Sequence, residues 1–290
     1  MKPAAFKYVQ PADEDAVAAL LAEHGSDACL LAGGQSLVPM MNFRVVSPAV
    51  LVDLNVLPTL DFVRSDGDTL HIGALTRHAT VEDSATIAQT CPLLRDAVRH
   101  VAHRTVRHRG TLGGTLALAY PGAETPLALV ALDAEVELRS TRGVRTTPVA
   151  DFIRGGLDTT RKDDEYIRSV RMHVPPASSR SSFIEVSRRH GDFAIAAAAL
   201  VLDTAPDGRI TFIRAAVAGG TGAPQRLAGL EAALEGRTLG SSMEAAAIRE
   251  AIDGIEIDGD PHYPEAYRRH LLNTVLRRAL ADVARRQGDT

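Results

Sequence analysis

The sequence is short of thiols. Its 290 residues include two cysteines, Cys29 and Cys91, whereas one iron–sulfur cluster takes four thiolates. Any such cluster that serves this chain has to sit in another. Both cysteines lie in apolar contexts, DACLLA and TCPLL, and are expected as buried structural thiols. Basic residues are not in excess either. The 32 Lys and Arg against 36 Asp and Glu give a formal net charge of −4, the wrong balance for a protein that tracks nucleic-acid phosphates. No run approaches the ~18 apolar residues of a membrane helix, so no membrane span is expected. The stretch MKPAAFKYVQPADED has no apolar core after its lysines, which argues against a secretory leader and makes the cytoplasm the expected compartment. No nucleophile–base triad or carboxylate dyad stands out, so no catalytic residue is assigned.

What is present is ordinary globular material, 45% hydrophobic and 23% charged, with length enough for about two domains. Asp13 to His24 reads as a helix that Asp13 caps and Gly25 stops, with Val17, Leu20 and Leu21 on one face. Short apolar runs at 28–32 and 50–54, and the alternating segment 69–74, read as strands. Helices are expected at Leu37 to Phe43, Val81–Gln89, Leu93–His103 and Pro126–Leu132, and a strand at 134–140 before a turn at Gly143. The texture changes at HVPPASSRSS (173–182), which reads as a linker. Beyond it come three strand candidates, 182–188, 194–203 and 210–219, the last two joined by Asp207-Gly208. Helices at Arg226–Leu234, Ser242–Ile252 and Pro264–Arg286 close the chain. The layout is α+β.

Two segments carry the chemistry: AGGQSLVPMMNFR (32–44) and RGTLGGTLALAYPGAE (109–124). Each sets a glycine pair beside small hydroxyl residues, and neither has the spacing of a phosphate loop or a Rossmann turn. Glycine lets a ligand approach the main chain, and successive N–H groups in such a turn form a concave anion site. The donors offered are the amides of Gly33, Gly34, Gln35 and Ser36 with the Ser36 hydroxyl, and the Thr111 hydroxyl with the amides of Gly113 and Gly114. A glycine pair in one tight turn is commonplace. Two such loops suggest one extended ligand with two ends or two phosphates, and a dinucleotide fits.

AGGQSLVPMMNFR followed by CPLL, RGTLGG, AYPGAETP and RRHGDFA resembles the FAD-binding middle subunit of the molybdenum hydroxylases, the family of xanthine dehydrogenase and aerobic carbon monoxide dehydrogenase. The likeness runs through nearly the whole chain. It implies a two-subdomain FAD-binding fold of the vanillyl-alcohol oxidase/p-cresol methylhydroxylase type over residues 1–176, split near 55. A small C-terminal domain of antiparallel sheet and helices, like that of the carbon monoxide dehydrogenase flavoprotein, follows over 177–290. It implies that Ala32, Gly33, Gly34, Gln35 and Ser36, with Leu37 adjacent, hold the FAD pyrophosphate, and that Thr111, Gly113 and Gly114 hold more of the cofactor. By the same resemblance Glu124 accepts from a ribose hydroxyl or the ribityl chain, and Phe193 lies over the flavin ring. The implied partners are a molybdopterin large subunit and a small subunit with two [2Fe–2S] clusters, as a dimer of heterotrimers, with electrons leaving to an external acceptor.

Two positions depart from the family pattern. Thr115 stands where relatives carry Asn or Asp, and Tyr120 where they carry Asp or Ser; a tyrosine there has to point away, stack on the cofactor or narrow the site. Gln35 replaces a histidine of some relatives and remains a polar contact. These departures leave open a flavin-free docking subunit, and a stand-alone flavoprotein of the same superfamily is a further alternative. His100, His103 and His108 lack the cysteines or carboxylates of a metal site, and none is expected there. The arginines around them, at 99, 104, 107 and 109, read first as a solvated face and second as a partner interface. His78 and Tyr8 carry no signal of their own. The last helix is expected to pack on its own domain with its arginine pairs outward.

Overall fold

The computed structural model describes residues 1–239 and 242–288. The first segment runs β1 (Lys7–Val9), α1 (Glu14–His24), β2 (Ala28–Leu31), α2 (Leu37–Asn42) and β3 (Val50–Asp53). Asp13 caps α1 by accepting from the Ala16 amide at 2.8 Å, and the chain leaves the helix through Gly25 at φ +49°. The three strands form a parallel sheet in the order β1-β3-β2. One face of α1 buries Val17, Ala18 and Leu21 against Leu54, Leu57, Leu60 and Tyr166. The first glycine loop leaves the carboxyl end of β2, which is where ligands gather in parallel sheets.

Next come β4 (Val63–Asp66), β5 (Thr69–Gly73), α3 (His78–Asp83), α4 (Ala85–Thr90), α5 (Pro92–His100), α6 (Arg104–Arg107), α7 (Leu112–Leu118) and α8 (Glu124–Ala131). They lead into β6 (Glu135–Ser140), β7 (Gly143–Pro148), α9 (Val149–Phe152), the short hairpin β8 (Ile153–Gly155) and β9 (Asp158–Thr159), and β10 (Tyr166–His173). An antiparallel sheet of order β4-β5-β10-β6-β7 results. The helix expected over 81–89 is two helices, because Ser84 turns extended and caps α4 through the Ile87 amide at 3.3 Å. The helix expected to reach His103 stops at His100, where Val101 is extended and Ala102 takes φ +43°. All eight residues of α8 are buried, the physical reason that no polar face follows Glu124 and Thr125 in ETPLALVA.

The remainder is a four-stranded antiparallel sheet, β11 (Arg180–Ser187), β12 (Ala194–Thr204), β13 (Ile210–Ala218) and β14 (Gln225–Arg226), in sequence order. It is covered by α10 (Ala228–Leu234), α11 (Ser242–Asp253) and α12 (Glu265–Gly288). The turn at Asp207-Gly208 is present, with Gly208 at φ +82°. On α12, Leu271, Val275 and Leu276 face the core, while Arg268, Arg269 and Arg286 pair with Asp260, Glu265 and Asp282. No described helix is long and apolar enough to cross a membrane.

The alanine run of β12 explains how this sheet is held. Ala197 and Ala199 face the large core beside α8, whereas Ala196 and Ala198 face the core under α12. Both faces are covered, and small side chains let both layers close in. Ala198→Leu is therefore expected to destabilise the protein by about 1–3 kcal/mol through overpacking, read as a lower urea midpoint. An unchanged midpoint would contradict the two-sided packing.

Candidate cofactor-binding site

The two glycine loops meet. A Cβ on Gly33 would stand 2.3 Å from the Arg109 carbonyl oxygen and 2.8 Å from Gly110 Cα, so only glycine allows the approach. Gly113 lies as tightly against Ala74, 2.6 Å from its Cβ. A side-chain bridge ties the same two loops. Arg77 Nη1 donates to the Arg109 carbonyl at 2.5 Å and Nη2 to Asn55 Oδ1 at 2.5 Å, and Asn55 Nδ2 donates to the Ala32 carbonyl at 2.9 Å. Asp53 fixes Asn55 by accepting from its amide at 3.0 Å and is itself held by the Tyr8 hydroxyl at 2.5 Å. Burial raises the Asp53 carboxyl, but the hydrogen bonds from Tyr8 and Asn55 outweigh it and hold the group below its ordinary range. Burial, and then the charge of Arg109, lower Arg77 from the usual guanidinium value; a guanidinium starts so high that it stays charged.

Between the loops lies a cleft of about 360 Å³, within the usual size of a cofactor pocket. Ala32, Gly33, Gly34, Gln35, Ser36 and Leu37 line it from one side, and Thr111, Gly113, Gly114 and Thr115 from the other. Their hydrogen bonding differs. In the second loop the amides are already spent. Leu112 donates to Thr76 at 3.0 Å, Gly113 to Ala74 at 2.9 Å, Gly114 to Thr111 Oγ1 at 3.1 Å and Thr115 to the Thr111 carbonyl at 3.1 Å. Of the two amides expected as ligand donors, that of Gly113 is taken by the Ala74 carbonyl after β5 and that of Gly114 by the capping hydroxyl of Thr111. In the first loop, among the described residues, the amides of Gly33, Gly34, Gln35 and Ser36 donate to no protein group, and Gly34 takes φ +72°. Four successive free N–H groups around such a turn are an anion cradle.

Thr115 turns inward. Its hydroxyl donates to the Thr111 carbonyl at 3.3 Å and meets His78 Nε2 at 2.8 Å. His78 is buried, and burial with the nearby Arg107 lowers its pKa to about 4, so the ring is neutral. Nδ1 has no partner, which fits the tautomer with the proton on Nε2 donating to Thr115, since an idle acceptor costs less than an idle N–H.

Three expected site residues lie outside this lining. Tyr120 stacks on Phe193 with ring centroids 4.1 Å apart, and the pair lines a neighbouring cleft. Glu124 is buried at the start of α8 and is not among the lining residues of either cleft. Burial pushes Glu124 up to about 8, with its own amide and His100 opposing and Glu185 adding to the rise. Conversely Cys29, expected as buried, is half-exposed and lines the cleft, as do Leu157 and Arg161. Nothing near Arg161 in the sequence marks it; the β8–β9 hairpin brings it there. The arginines of 99–109 are largely neutralised, Arg104 and Arg107 by Glu82 and Arg99 by Asp96.

Glu124 generates a pH prediction. Its folded pKa lies above the unfolded one, so its contribution is fully present below about 4.5 and is lost as pH rises through about 8. Glu124→Gln is expected to raise stability over wild type at pH 8.5, by at least about 1 kcal/mol, with the gap closing toward pH 4.5. A gap that is independent of pH would contradict this environment.

A free-amide cradle at a strand end, joined through a shared cleft to a second glycine turn, defines a dinucleotide-binding protein. Comparison with known proteins narrows the class. Residues 4–176 match the family described as FAD binding domain in molybdopterin dehydrogenase, and 181–283 match the CO dehydrogenase flavoprotein C-terminal domain. The chain is 39% identical over 290 residues to the 6-hydroxypseudooxynicotine dehydrogenase complex subunit alpha of Paenarthrobacter nicotinovorans, covering 100% of this chain and 98% of that one. It is 37% identical to the caffeine dehydrogenase subunit beta of Pseudomonas sp. (strain CBB1), covering 99% and 97%. The structure superposes on carbon monoxide dehydrogenase from Hydrogenophaga pseudoflava with a TM-score of 0.94 at 32% identity, covering 99% of each chain. The chain belongs to the FAD-binding subunits of the molybdenum hydroxylases, and its cofactor is FAD.

Proposed function

We propose that this chain works as the electron-transfer subunit of a molybdenum hydroxylase, taking electrons from [2Fe–2S] clusters on a small partner subunit and passing them to an external acceptor. The oxidised substrate would be bound by a molybdopterin-containing large subunit, and the assembly would be a dimer of heterotrimers. The free thiols Cys29 and Cys91 are in keeping with a cytoplasmic setting. The proposed division of labour is a FAD-binding part over 1–176, in two subdomains split near 55, and a C-terminal part over 177–290.

The observation that carries the proposal is the set of unpaired amides at Gly33, Gly34, Gln35 and Ser36. In our reading they and the Ser36 hydroxyl hold the pyrophosphate. Arg161 adds positive charge to the same cleft, and Ala32 and Leu37 complete its wall. Thr111 keeps a hydroxyl hydrogen for the cofactor after accepting from Gly114, while Gly113 and Gly114 present a flat face. Thr115 holds that turn in shape through His78. Tyr120 and Phe193 wall the approach to the ring end. Bound FAD supplies exchange between single-electron and paired-electron transfer; the protein's share is to hold and orient it.

The purified protein is expected to show flavin absorbance near ~370 and ~450 nm. Gln35→Glu brings a carboxylate to the cradle and is expected to weaken FAD binding by about 1–3 kcal/mol through charge repulsion, with the circular dichroism and melting of the flavin-free protein unchanged. Full retention of FAD by Gln35→Glu would overturn the pyrophosphate assignment, and a colourless protein that FAD does not reconstitute would overturn the function.

A further inference from the structure

Three titratable side chains meet at a seam inside the molecule. His100 closes α5, Glu124 opens α8 and Glu185 lies on β11; α5 packs against α8 and β11, and both helices pack against β12. Register partners in a sheet share a face. Ala197, opposite Glu185, belongs to the core that contains α8, so Glu185 points to that side. Phe183, two residues back on the same face, packs on the His100 ring with centroids 5.2 Å apart. His100 Nδ1 reaches Glu185 Oε1 at 3.2 Å. The Glu185 side chain is only 5% exposed, and its Oε2 has no hydrogen-bond partner. The His100 side chain, at 35%, still touches solvent. A line of proton-carrying groups thus runs from the surface into the core.

Glu124 stands at the inner end. Its carboxyl accepts from its own amide, which keeps it at the amino end of α8, against the turn closed by the Ala123 amide on the Tyr120 carbonyl at 3.0 Å. That turn walls the neighbouring cleft through Tyr120, Pro121 and Gly122. Burial, with the charge of Glu185 adding, holds the proton on Glu124 at neutral pH. The hydrogen bond to Glu185 raises His100 against its burial, and the charges of Glu185, Glu124 and Asp96 add to the rise. Asp96, one turn back on α5, is itself paired with Arg99, and β12 presents an alanine beside Glu185. Two neighbouring buried carboxylates resist ionising together. A proton lost from Glu124 is therefore drawn back from His100 through Glu185.

The chemistry requires such a supply. Reduction of FAD to dihydroflavin takes two electrons and two protons, and iron–sulfur donors bring only the electrons, so the protons have to come from solvent. We propose that His100, Glu185 and Glu124 form the path by which solvent protons reach the flavin, Glu124 giving its carboxyl proton toward the cleft and regaining one from His100 by way of Glu185. The proposal rests on the FAD and electron-transfer reading above. The balance closes: each proton that leaves the Glu124 O–H is replaced across the His100–Glu185 hydrogen bond, and His100 takes one from water. Two passages serve one two-electron reduction.

The test mixes the FAD-loaded protein with reduced methyl viologen, a one-electron donor that carries no proton, in weak buffer with a pH-indicator dye. Absorbance near ~450 nm reports flavin reduction, and the dye reports proton uptake. In wild type, uptake is expected to keep pace with reduction. Glu124→Gln, of nearly the same shape, is expected to slow uptake about a hundredfold, the usual worth of a positioned acid, at unchanged FAD content. Glu124→Asp, which keeps a carboxyl, is expected to lose less. His100→Ala is expected to slow uptake and to recover when imidazole is added, which a merely structural defect would not do. Infrared spectra of the flavin-free protein at pH 7 are expected to show a protonated-carboxyl band that Glu124→Gln removes. Unchanged uptake in Glu124→Gln would overturn the proposal, as would a slowed His100→Ala that imidazole does not restore, or a carboxyl band that survives in Glu124→Gln. Loss of FAD from Glu124→Gln would make the carboxyl a cofactor contact and also overturn it. A wild type without flavin would refute the FAD reading and the relay with it, whereas a flavin-loaded wild type whose variants take up protons normally refutes the relay alone.

Discussion

The site depends on one close approach, the backbone of Gly33 lying on the Arg109 carbonyl. A parallel sheet at one end of the chain and an antiparallel sheet in the middle have no reason of their own to present their loops to a common space. The glycine makes contact sterically allowed, and the Asn55–Arg77 bridge makes it specific by satisfying carbonyls from both loops. Those carbonyls, Ala32 and Arg109, would otherwise be partly desolvated without a partner. The bridge is anchored in turn through Asp53 and Tyr8 on two strands of the first sheet, so the geometry of the cleft is tied to the packing of the strands.

From that junction follows a division between the loops. The second saturates its own amides and serves as a rigid floor, locked from beneath by the neutral His78 and Thr115. The first leaves its amides idle and is the one we propose as the ligand's cradle. A cradle whose donors are preorganised by glycine binds an anion without first breaking internal bonds, which is where much of the cost of binding otherwise lies. The positive charge around it, Arg77, Arg109 and Arg161, is drawn from three different segments of an acidic chain.

Much of this architecture was legible in the residues. Asp13 and Gly25 bound the first helix because capping is local, and the strands of the C-terminal sheet stood out because they are long and their turn is Asp-Gly. The cradle was legible because the glycine pair of AGGQS allows the positive φ that Gly34 takes and the close approach that Gly33 makes. What escaped was set by tertiary context. TLGGTLAL does not look helical, yet α7 forms because Thr111 caps it and β5's extension accepts its remaining amides. His78 is unremarkable in sequence and becomes decisive only once buried under Gly110. Glu124, given as a ligand contact by the resemblance, is buried at the start of helix α8; Tyr120 finds its partner in Phe193, 73 residues away in sequence.

We propose that residues 33–36 hold the pyrophosphate with free amides while residues 112–115 do not. Amide hydrogen exchange resolved by ¹⁵N NMR, with and without FAD, tests it most directly. Exchange at 33–36 is expected to be fast in the flavin-free protein and strongly slowed by FAD, with 112–115 slow in both. Fast exchange at 33–36 that FAD leaves unaltered, or protection gained only at 112–115, would contradict the account.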